Sequence, residues 1–283
     1  MTDYLQLEHV NKTFLGFKLD DITLHLPKGY IMGLVGPNGS GKTTIIKLIL
    51  NILEKDTGEI SLFGNDIRSR EMKQQLGVVF DSNCYVDSWN LRDVEKAVSM
   101  FYEEWDSQMF YKITEHFQLP KRTKLEKFSR GMQMKLMLAS AFSHNAKLLV
   151  LDEPNSGLDP AARNELSELL QDYISDGEKS VLFSTHITND LEKTADYLTY
   201  LSMGKLIYTG STEQFLQNYY LIKGAPDELT PDLKKHVVGL RETMMGFEGL
   251  ITAGDSVQYK GYLLDAPSID DIIICYDREE KMR

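Results

Sequence analysis

The sequence predicts an α/β fold in which a mainly parallel, doubly wound sheet is covered by helices. Continuous apolar runs at residues 30–35, 147–151 and 180–184 have the length and composition of buried strands. Each run is followed by glycine-rich or polar residues and then by a helix-like segment, so strands alternate with helices along the chain. In such a sheet, ligands bind at the carboxyl ends of the strands. We therefore expect the chemistry of this protein at the residues that follow these strands.

The N-terminal region predicts an antiparallel β portion. Residues 4–10 and 17–26 alternate between apolar and polar side chains, which is typical of strands, and a turn is expected around residues 11–13. Farther along, the pattern is helical with many charged residues, which predicts an inserted helical subdomain at about residues 86–138.

The C-terminal half predicts two more helices and a second, smaller domain. Helices are expected over about residues 160–174 and in the segment ending near residue 195. The Lys-Gly-Ala-Pro segment at 223–226 reads as a boundary. The prediction is a large α/β domain over residues 1–222 and a small α+β accessory domain over residues 225–283.

Composition limits the class of protein. The chain has 283 residues, of which 42% are hydrophobic, enough for one large domain or one large and one small domain. The formal net charge of −11 argues against a general nucleic-acid-binding surface, so no nucleic-acid partner is predicted, although a local basic patch stays open. Cys84 and Cys275 match no metal-binding spacing, which predicts a reducing compartment and ordinary packing roles for both. No apolar run approaches the length of a transmembrane helix, and no signal peptide is recognisable, so a membrane role is expected only through a partner chain.

A glycine-rich loop that begins at Gly36 fits the phosphate-binding pattern G-x-x-x-x-G-K-[ST]. It lies between a predicted strand and a predicted helix, which is the context that the pattern requires. Glycines let the backbone approach an anion closely, and the helix N-terminus adds partial positive charge. Lys42 is predicted to clamp the β- and γ-phosphates, and Thr43 to bind Mg²⁺. The predicted ATP-binding residues of this loop are Gly36, Pro37, Asn38, Gly39, Ser40, Gly41, Lys42, Thr43 and Thr44.

The apolar run 147–151 ends in two carboxylates, Asp152 and Glu153. Asp152 is placed to hold Mg²⁺ opposite Thr43, and Glu153 to polarise an attacking water. Taken alone, such a pair is also typical of a strand end with two solvated acids. Its occurrence together with a phosphate-binding loop favours the catalytic interpretation.

Further motifs resemble those of one family. The segment 128–133, Phe-Ser-Arg-Gly-Met-Gln, resembles the L-S-G-G-Q signature of ABC transporter ATP-binding subunits, and 155–160 resembles their D-loop. His186 follows a buried strand, as the family's switch histidine does, and Phe14 stands where the family places an aromatic residue against adenine. The resemblance covers about residues 4–220, with the motifs in the family's order.

The resemblance implies a role for each matching residue. Phe14 would stack on the purine, its alternative being a core phenylalanine. His186 would contact the γ-phosphate and hold the attacking water, and Asp159 would act across a dimer interface or cap a helix before Pro160. The signature would face the phosphate loop of a second subunit in a head-to-tail dimer, which the resemblance implies to be a homodimer. The signature residues predicted to act in trans are Ser129, Arg130, Gly131 and Met132.

The chain departs from the family pattern at three positions. Asp81 replaces the usual glutamine after a strand, Arg130 replaces the first signature glycine, and Met132 replaces the signature glutamine. Asp81 could still hold Mg²⁺, or it could slow hydrolysis or alter coupling to a membrane subunit. Arg130 adds positive charge near the partner's phosphates.

The predicted helical subdomain is rich in aromatic residues. Two interpretations are open: some of them line a groove for a helix of a membrane protein, or all belong to the core. The residues concerned are Tyr85, Trp89, Phe101, Tyr102 and Trp105.

The resemblance implies an ATP-hydrolysing motor subunit with Mg²⁺ as cofactor, bound to a separate integral-membrane permease at the cytoplasmic face of a bacterial cell membrane. The signature and the tail 267–272 resemble those of ABC-2-type and antibiotic- or peptide-exporting ATPases, so export is expected, with peptide or antibiotic cargo by analogy. The alternatives are a regulatory ATPase with weak hydrolysis, which Asp81 favours, and a soluble ABC ATPase without a transport role.

Overall fold

The computed structural model describes residues 2–68 and 70–282. The chain divides into two compact units, Met1–Thr209 and Gly210–Arg283. The sequence had indicated a division at residues 222–225. That segment instead meets the end of a strand, Tyr219–Gly224, whose pairing partners all lie farther along the chain. Backbone pairing therefore assigns this strand to the second unit, a relation that local composition does not reveal.

The first unit is built on a large mixed sheet. Its ten strands have the order β5-β4-β1-β2-β10-β9-β3-β8-β7-β6. The strands are β1 Asp3–Phe14, β2 Phe17–Pro27, β3 Ile31–Val35, β4 Thr57–Leu62, β5 Asn65–Asp66, β6 Leu76–Val79, β7 Leu148–Asp152, β8 Ser180–Thr185, β9 Tyr197–Ser202 and β10 Lys205–Ser211. The neighbours β9, β3, β8, β7 and β6 are parallel, whereas β1, β2, β4 and β5 pair antiparallel. The predicted parallel core and antiparallel portion are both confirmed.

The hairpin between β1 and β2 turns later than predicted. β1 continues to Phe14, which pairs with Phe17, so the turn lies at Leu15 and Gly16 rather than at 11–13. Gly16 has φ +82°, a conformation that glycine adopts without steric cost. The residues expected to form the turn instead contain a register irregularity between Val10 and Lys12, which keeps the strand paired.

Helices follow the strands as the alternating pattern predicts. In the first unit they are α1 Lys42–Ile49, α2 Arg70–Gln74, α3 Leu91–Ser99, α4 Ser107–His116, α5 Arg130–Phe142, α6 Pro160–Ile174 and α7 Thr188–Thr194. Their starts are defined by side chains: Asn90 and Asp93 form a capping box at α3, and Asp159 caps α6 with Pro160 as its first residue. The helical nature of the region near 86–138 and the bounds of α6 are as predicted.

The core of the first unit lies where α1 packs against both parts of the sheet. Ile45, Ile46, Leu48 and Ile49 are fully buried among side chains of the strands. Each such side chain contributes about 1.5–3 kcal/mol through burial of apolar surface. This packing fixes the N-terminus of α1, and with it the preceding glycine loop, relative to the sheet.

The second unit is α+β, as predicted. Its strands form an antiparallel sheet of order β12-β13-β11-β14. The elements are α8 Thr212–Gln217, β11 Tyr219–Gly224, α9 Leu233–His236, β12 Val238–Thr243, β13 Gly246–Thr252, β14 Leu263–Asp265 and α10 Ile269–Met282. Its own core contains Ile222, Leu233, Phe247 and Ile251. Among the described residues of the whole chain, no helix has the length and apolar character needed to cross a membrane.

Candidate ATPase site

The chemistry-bearing residues follow four neighbouring parallel strands. The glycine loop follows β3, His186 follows β8, Asp152 ends β7 with Glu153 next, and Asp81 comes shortly after β6. Strands β3, β8, β7 and β6 are consecutive in the sheet, with Val35 beside Thr185 and Asp152 beside Ser184. Register therefore places these residues in a row at one edge, as the sequence predicts for the carboxyl ends of parallel strands.

The glycine loop has the geometry of an anion cradle. Gly41 precedes α1 with φ +113°, and a Cβ atom there would lie 2.5 Å from the Leu19 side chain and 3.1 Å from the Phe17 ring. Only glycine therefore lets the loop lie this close to β2. The Ser40 hydroxyl is buried and has no hydrogen-bond partner among the residues that the structure describes. An unpaired buried hydroxyl beside a helix N-terminus fits a phosphate oxygen as its acceptor.

Lys42 lies inside this cradle. Only 6% of the residue is exposed, and its Nζ donates hydrogen bonds to Gly36 O at 2.7 Å and Pro37 O at 3.3 Å. Glu153 Oε1 lies 3.9 Å from Nζ. Burial lowers the pKa of Lys42, and the neighbouring carboxylates Glu153 and Asp152 oppose that shift. Phosphate oxygens in the loop would stabilise the charged ammonium further, which suits the predicted clamp.

Asp152 is a buried carboxylate with hydroxyl donors. The residue is 3% exposed, and its Oδ1 accepts hydrogen bonds from Ser184 Oγ at 2.6 Å and Thr43 Oγ1 at 3.3 Å. A carboxylate and a hydroxyl at this separation offer the hard oxygen ligands that Mg²⁺ prefers. The residues present therefore fit a magnesium ion. Ser184 was missed in the sequence, since one serine in an apolar strand gives no signal of its partner.

Glu153 adopts a left-handed backbone conformation, with φ +51°. Its N–H donates to Ser184 Oγ at 3.0 Å, and its Oε2 lies 2.7 Å from His186 Nδ1. Non-glycine residues in this conformation are uncommon and concentrate where function requires a particular side-chain direction. Here the turn aims the carboxylate between Lys42 and His186, where it can accept a proton from a water bound next to a γ-phosphate.

A cavity of about 570 Å³ adjoins this row of residues. Its lining contains Phe17, whereas Phe14 is 39% exposed on the hairpin with its ring centroid 6.3 Å from that of Phe17. Phe17 was missed in the sequence because its position in β2 reads as an ordinary alternating strand residue. The lining residues are Phe17, Asn38, Gly39, Gly41, Lys42, Thr43, Thr44, Asp81, Arg130, Glu153, Ser156 and His186.

Comparison with known proteins identifies this arrangement. A family model described as ABC transporter matches residues 19–156. The lantibiotic transport ATP-binding protein SrtF of Streptococcus pyogenes is 30% identical over 213 residues, covering 72% of this chain and 92% of that protein. The chain belongs to the ABC transporter ATP-binding proteins.

Other proteins similar to this ABC ATPase are also ABC transporter ATP-binding proteins. The ABC transporter ATP-binding protein YtrB of Bacillus subtilis is 27% identical over 225 residues, covering 79% of this chain and 77% of that protein. The Nod factor export ATP-binding protein I of Burkholderia pseudomallei is 31% identical over 206 residues, covering 70% and 67%. A solved ATP-binding subunit of an ABC transporter has the same fold, with a TM-score of 0.68 at 24% identity over 75% of this chain and 91% of that chain. The expected ABC-type ATPase fold is confirmed, and the protein is an ATP-hydrolysing subunit of a transporter.

The signature of this ABC ATPase lies at a helix start, as expected. Ser129 caps α5 by accepting a hydrogen bond from Met132 N at 3.2 Å. Arg130, however, forms an ion pair with Asp81 of the same chain and lines that chain's own cavity. The described residues that line this cavity do not include Ser129, Gly131 or Met132. The predicted action of these three residues on a second subunit stays a prediction. Asp159 caps α6 through a 2.8 Å hydrogen bond from Ala162 N, which confirms the capping alternative for this residue.

The helical subdomain of this ABC ATPase exposes only part of its aromatic set. Phe101 is 72% exposed, so the interpretation that all five aromatic residues belong to the core is wrong for this residue. Tyr102 stacks on the buried His144 at 3.7 Å, and Trp105 packs on Phe110. Cys275 is buried, but Cys84 is exposed, so the predicted packing role fails for Cys84, which lies on a loop near Asp81.

Proposed function

We propose that this ATPase uses Mg²⁺ and ATP to power export of a peptide or an antibiotic through a separate membrane permease. The observation that carries the proposal is the position of the Glu153 carboxylate between Lys42 and His186, beside a glycine loop suited to phosphates. The direction of transport rests on relatives: one is named a lantibiotic transport protein and another a Nod factor export protein. The proposed cargo, a peptide or an antibiotic, is inferred by analogy with these relatives.

The residues of the site suggest how ATP would be cleaved. Lys42 neutralises negative charge on the β- and γ-phosphates. The phosphates in turn favour the protonated ammonium form of Lys42. Glu153 accepts a proton from water while the water oxygen attacks the γ-phosphorus in line, and the bond to the β–γ bridging oxygen breaks. His186 holds the Glu153 carboxylate through its 2.7 Å contact, and it lines the same cavity as the glycine loop, where it would steady the transferred phosphoryl group. Bound Mg²⁺, held by Thr43 and Asp152, would supply further charge stabilisation on the phosphates.

A second copy of the chain would complete each site. The start of α5 presents backbone N–H groups at the cap Ser129 and at Gly131, and such a helix N-terminus favours an anion. In a head-to-tail homodimer, these groups would face the γ-phosphate bound by the partner. Asp159, already capping α6, would then lie near that interface, so its capping and interfacial roles are compatible.

An apolar surface of the helical subdomain is proposed as the contact with the permease. Val86, Met100 and Phe101 are 50%, 73% and 72% exposed. Large apolar side chains exposed to water, of which Met100 and Phe101 are adjacent in sequence, favour contact with a protein partner. This contact would keep the ATPase at the cytoplasmic face of the cell membrane.

Phosphate release by purified protein tests the proposal. Glu153→Gln preserves shape but removes the base, so turnover should fall by a factor of about 10²–10⁴ while nucleotide binding persists. Glu168→Gln, at an exposed position on α6, is the matched control and should keep wild-type turnover. Equal turnover in Glu153→Gln and Glu168→Gln would contradict the assignment of Glu153 as the general base.

A second assay separates transport from the alternatives. Co-expression with the permease should bring the ATPase into the membrane fraction and increase its turnover. Wild-type protein without turnover even beside its permease would instead support a regulatory ATPase, for which Asp81 is the relevant departure. Strong turnover with no permease-dependent membrane binding would support a soluble role.

A further inference from the structure

The two departures at Asp81 and Arg130 contact each other. Arg130, the first residue of α5, forms an ion pair with Asp81, which follows β6. Both side chains are partly exposed, at 59% for Arg130 and 52% for Asp81. Both residues line the same cavity as Lys42, Thr43 and Glu153. The guanidinium therefore lies in the nucleotide site of its own chain.

Packing at the start of α5 holds Arg130 in this place. A Cβ atom at Gly131 would lie 2.8 Å from Gly157 O, so the absence of a side chain lets the helix start approach the turn after β7. The stem of Arg130 covers Gly157, where an added Cβ atom would lie 3.1 Å from Arg130 Cγ. With its stem packed over Gly157, the Arg130 guanidinium reaches Asp81, and both residues line the cavity.

Two positively charged groups, the Arg130 guanidinium and a bound magnesium ion, would compete for the Asp81 carboxylate. Asp81 faces the same cavity as the predicted magnesium ligand Thr43, and its carboxylate is a hard oxygen donor suited to Mg²⁺. A carboxylate that accepts hydrogen bonds from a guanidinium has fewer free lone pairs, and a nearby cation repels a second one. Arg130 and a magnesium ion therefore disfavour each other at Asp81.

We propose that Arg130 is a positioning residue that competes with Mg²⁺ for Asp81, so that arrival of magnesium–nucleotide releases Arg130 from the ion pair. This inference rests on the proposed magnesium–ATP site and adds to it a change in the contact of Arg130 that depends on magnesium. Without magnesium, the guanidinium neutralises Asp81 and ties the start of α5 to the loop after β6. With magnesium, the guanidinium is free to turn towards phosphate oxygens, for which its planar donor geometry is suited.

Calorimetric binding of AMP-PNP, an ATP analogue that resists hydrolysis, provides a readout independent of turnover. The quantity of interest is the magnesium factor, defined as Kd in EDTA divided by Kd in excess Mg²⁺. Arg130→Gln removes the competitor, so the magnesium factor should rise about two- to fivefold, the range expected for a partly exposed ion pair. Asp81→Asn should lower the factor, and in that background Arg130→Gln should no longer change it. Arg122→Gln, at an exposed position before α5, controls for the loss of one positive charge and should leave the factor unchanged.

The outcomes separate this inference from the function on which it rests. A magnesium factor that Arg130→Gln leaves unchanged, or changes equally with and without the Asp81 carboxylate, overturns the competition. An equally large effect of Arg122→Gln also overturns it, because the cause would then be net charge. A wild-type protein whose AMP-PNP affinity does not respond to Mg²⁺ overturns the proposed magnesium–nucleotide site itself, and the competition with it.

Discussion

Substitution of Ser184 by alanine tests the arrangement of the two carboxylates after β7. The Ser184 hydroxyl donates to Asp152 Oδ1 at 2.6 Å and accepts a hydrogen bond from Glu153 N at 3.0 Å. It is thus the one described side chain that contacts both the predicted magnesium ligand and the backbone of the predicted base. Ser184 is fully buried, so water cannot easily replace the lost hydroxyl.

The size of the effect follows from these two hydrogen bonds. A bond to an ionised group contributes about 1.5–3 kcal/mol and a neutral one about 0.5–1.5 kcal/mol, so Ser184→Ala should lower the free energy of unfolding by about 2–4 kcal/mol. Ser180 is the matched control: it is fully buried on the same strand, and its hydroxyl accepts from Gly29 N at 2.9 Å and donates to Pro27 O at 3.2 Å. Since both partners there are neutral, Ser180→Ala should cost about 1–3 kcal/mol.

Thermal unfolding and phosphate release together distinguish the two variants. Each kcal/mol corresponds to a fall in Tm of about 2–4 °C for a unit of this size. Ser184→Ala should unfold earlier than Ser180→Ala and should also lose turnover, because Asp152 and the turn at Glu153 are no longer held. If the two variants unfold alike and both retain wild-type turnover, the reasoning about Ser184 is refuted.

Three further predictions concern the purine site, the glycine loop and pH. Phe17→Ala should weaken ATP binding by about 1–3 kcal/mol through lost stacking, whereas Leu15→Ala on the exposed hairpin turn should not; equal calorimetric affinities would contradict this. Gly41→Ala should lower both Tm and nucleotide affinity more than Gly39→Ala, because an added Cβ clashes at the first position and meets open space at the second, although both have positive φ. Burial lowers the pKa of His144 below its usual 6.5, partly offset by hydrogen bonds to two carbonyl oxygens. The unfolded chain then binds more protons than the folded one, so stability should fall as pH drops through 6.5, and His144→Gln should flatten that slope in urea titrations.

The sequence predicts the location of candidate site residues well where they directly follow a buried strand. The segments Ile31–Val35 and 148–151 contain only apolar residues and glycine, and the residues that follow them are a glycine and two carboxylates, so each strand and the candidate site residues after it are recognisable within a few neighbouring positions. The same holds for His186 after β8. Local pattern is sufficient there because parallel strands bring their carboxyl ends to one edge.

Contacts between residues that are distant in sequence cannot be predicted from local sequence pattern. Ser184 reads as one more residue of an apolar strand, and only the register of β7 beside β8 brings it to Asp152. The family's signature motif predicts that Arg130 acts on a second subunit, but it does not reveal that the side chain pairs with Asp81 of its own chain. The two compact units meet between Thr209 and Gly210, before β11, which pairs with β13 farther along the chain; local composition near residues 222–225 does not encode this pairing.

The most direct test of the central claim, an ATP site completed by a second copy of the chain, is the solution mass of Glu153→Gln measured by light scattering. In EDTA the protein should have its monomer mass of 32.3 kDa. With Mg²⁺ and ATP the mass should shift to twice that value, because in the proposed dimer the start of α5 on one subunit would close over the nucleotide of the other. A protein that stays monomeric while calorimetry shows bound ATP would contradict the head-to-tail homodimer, and the completed site would then require a different partner.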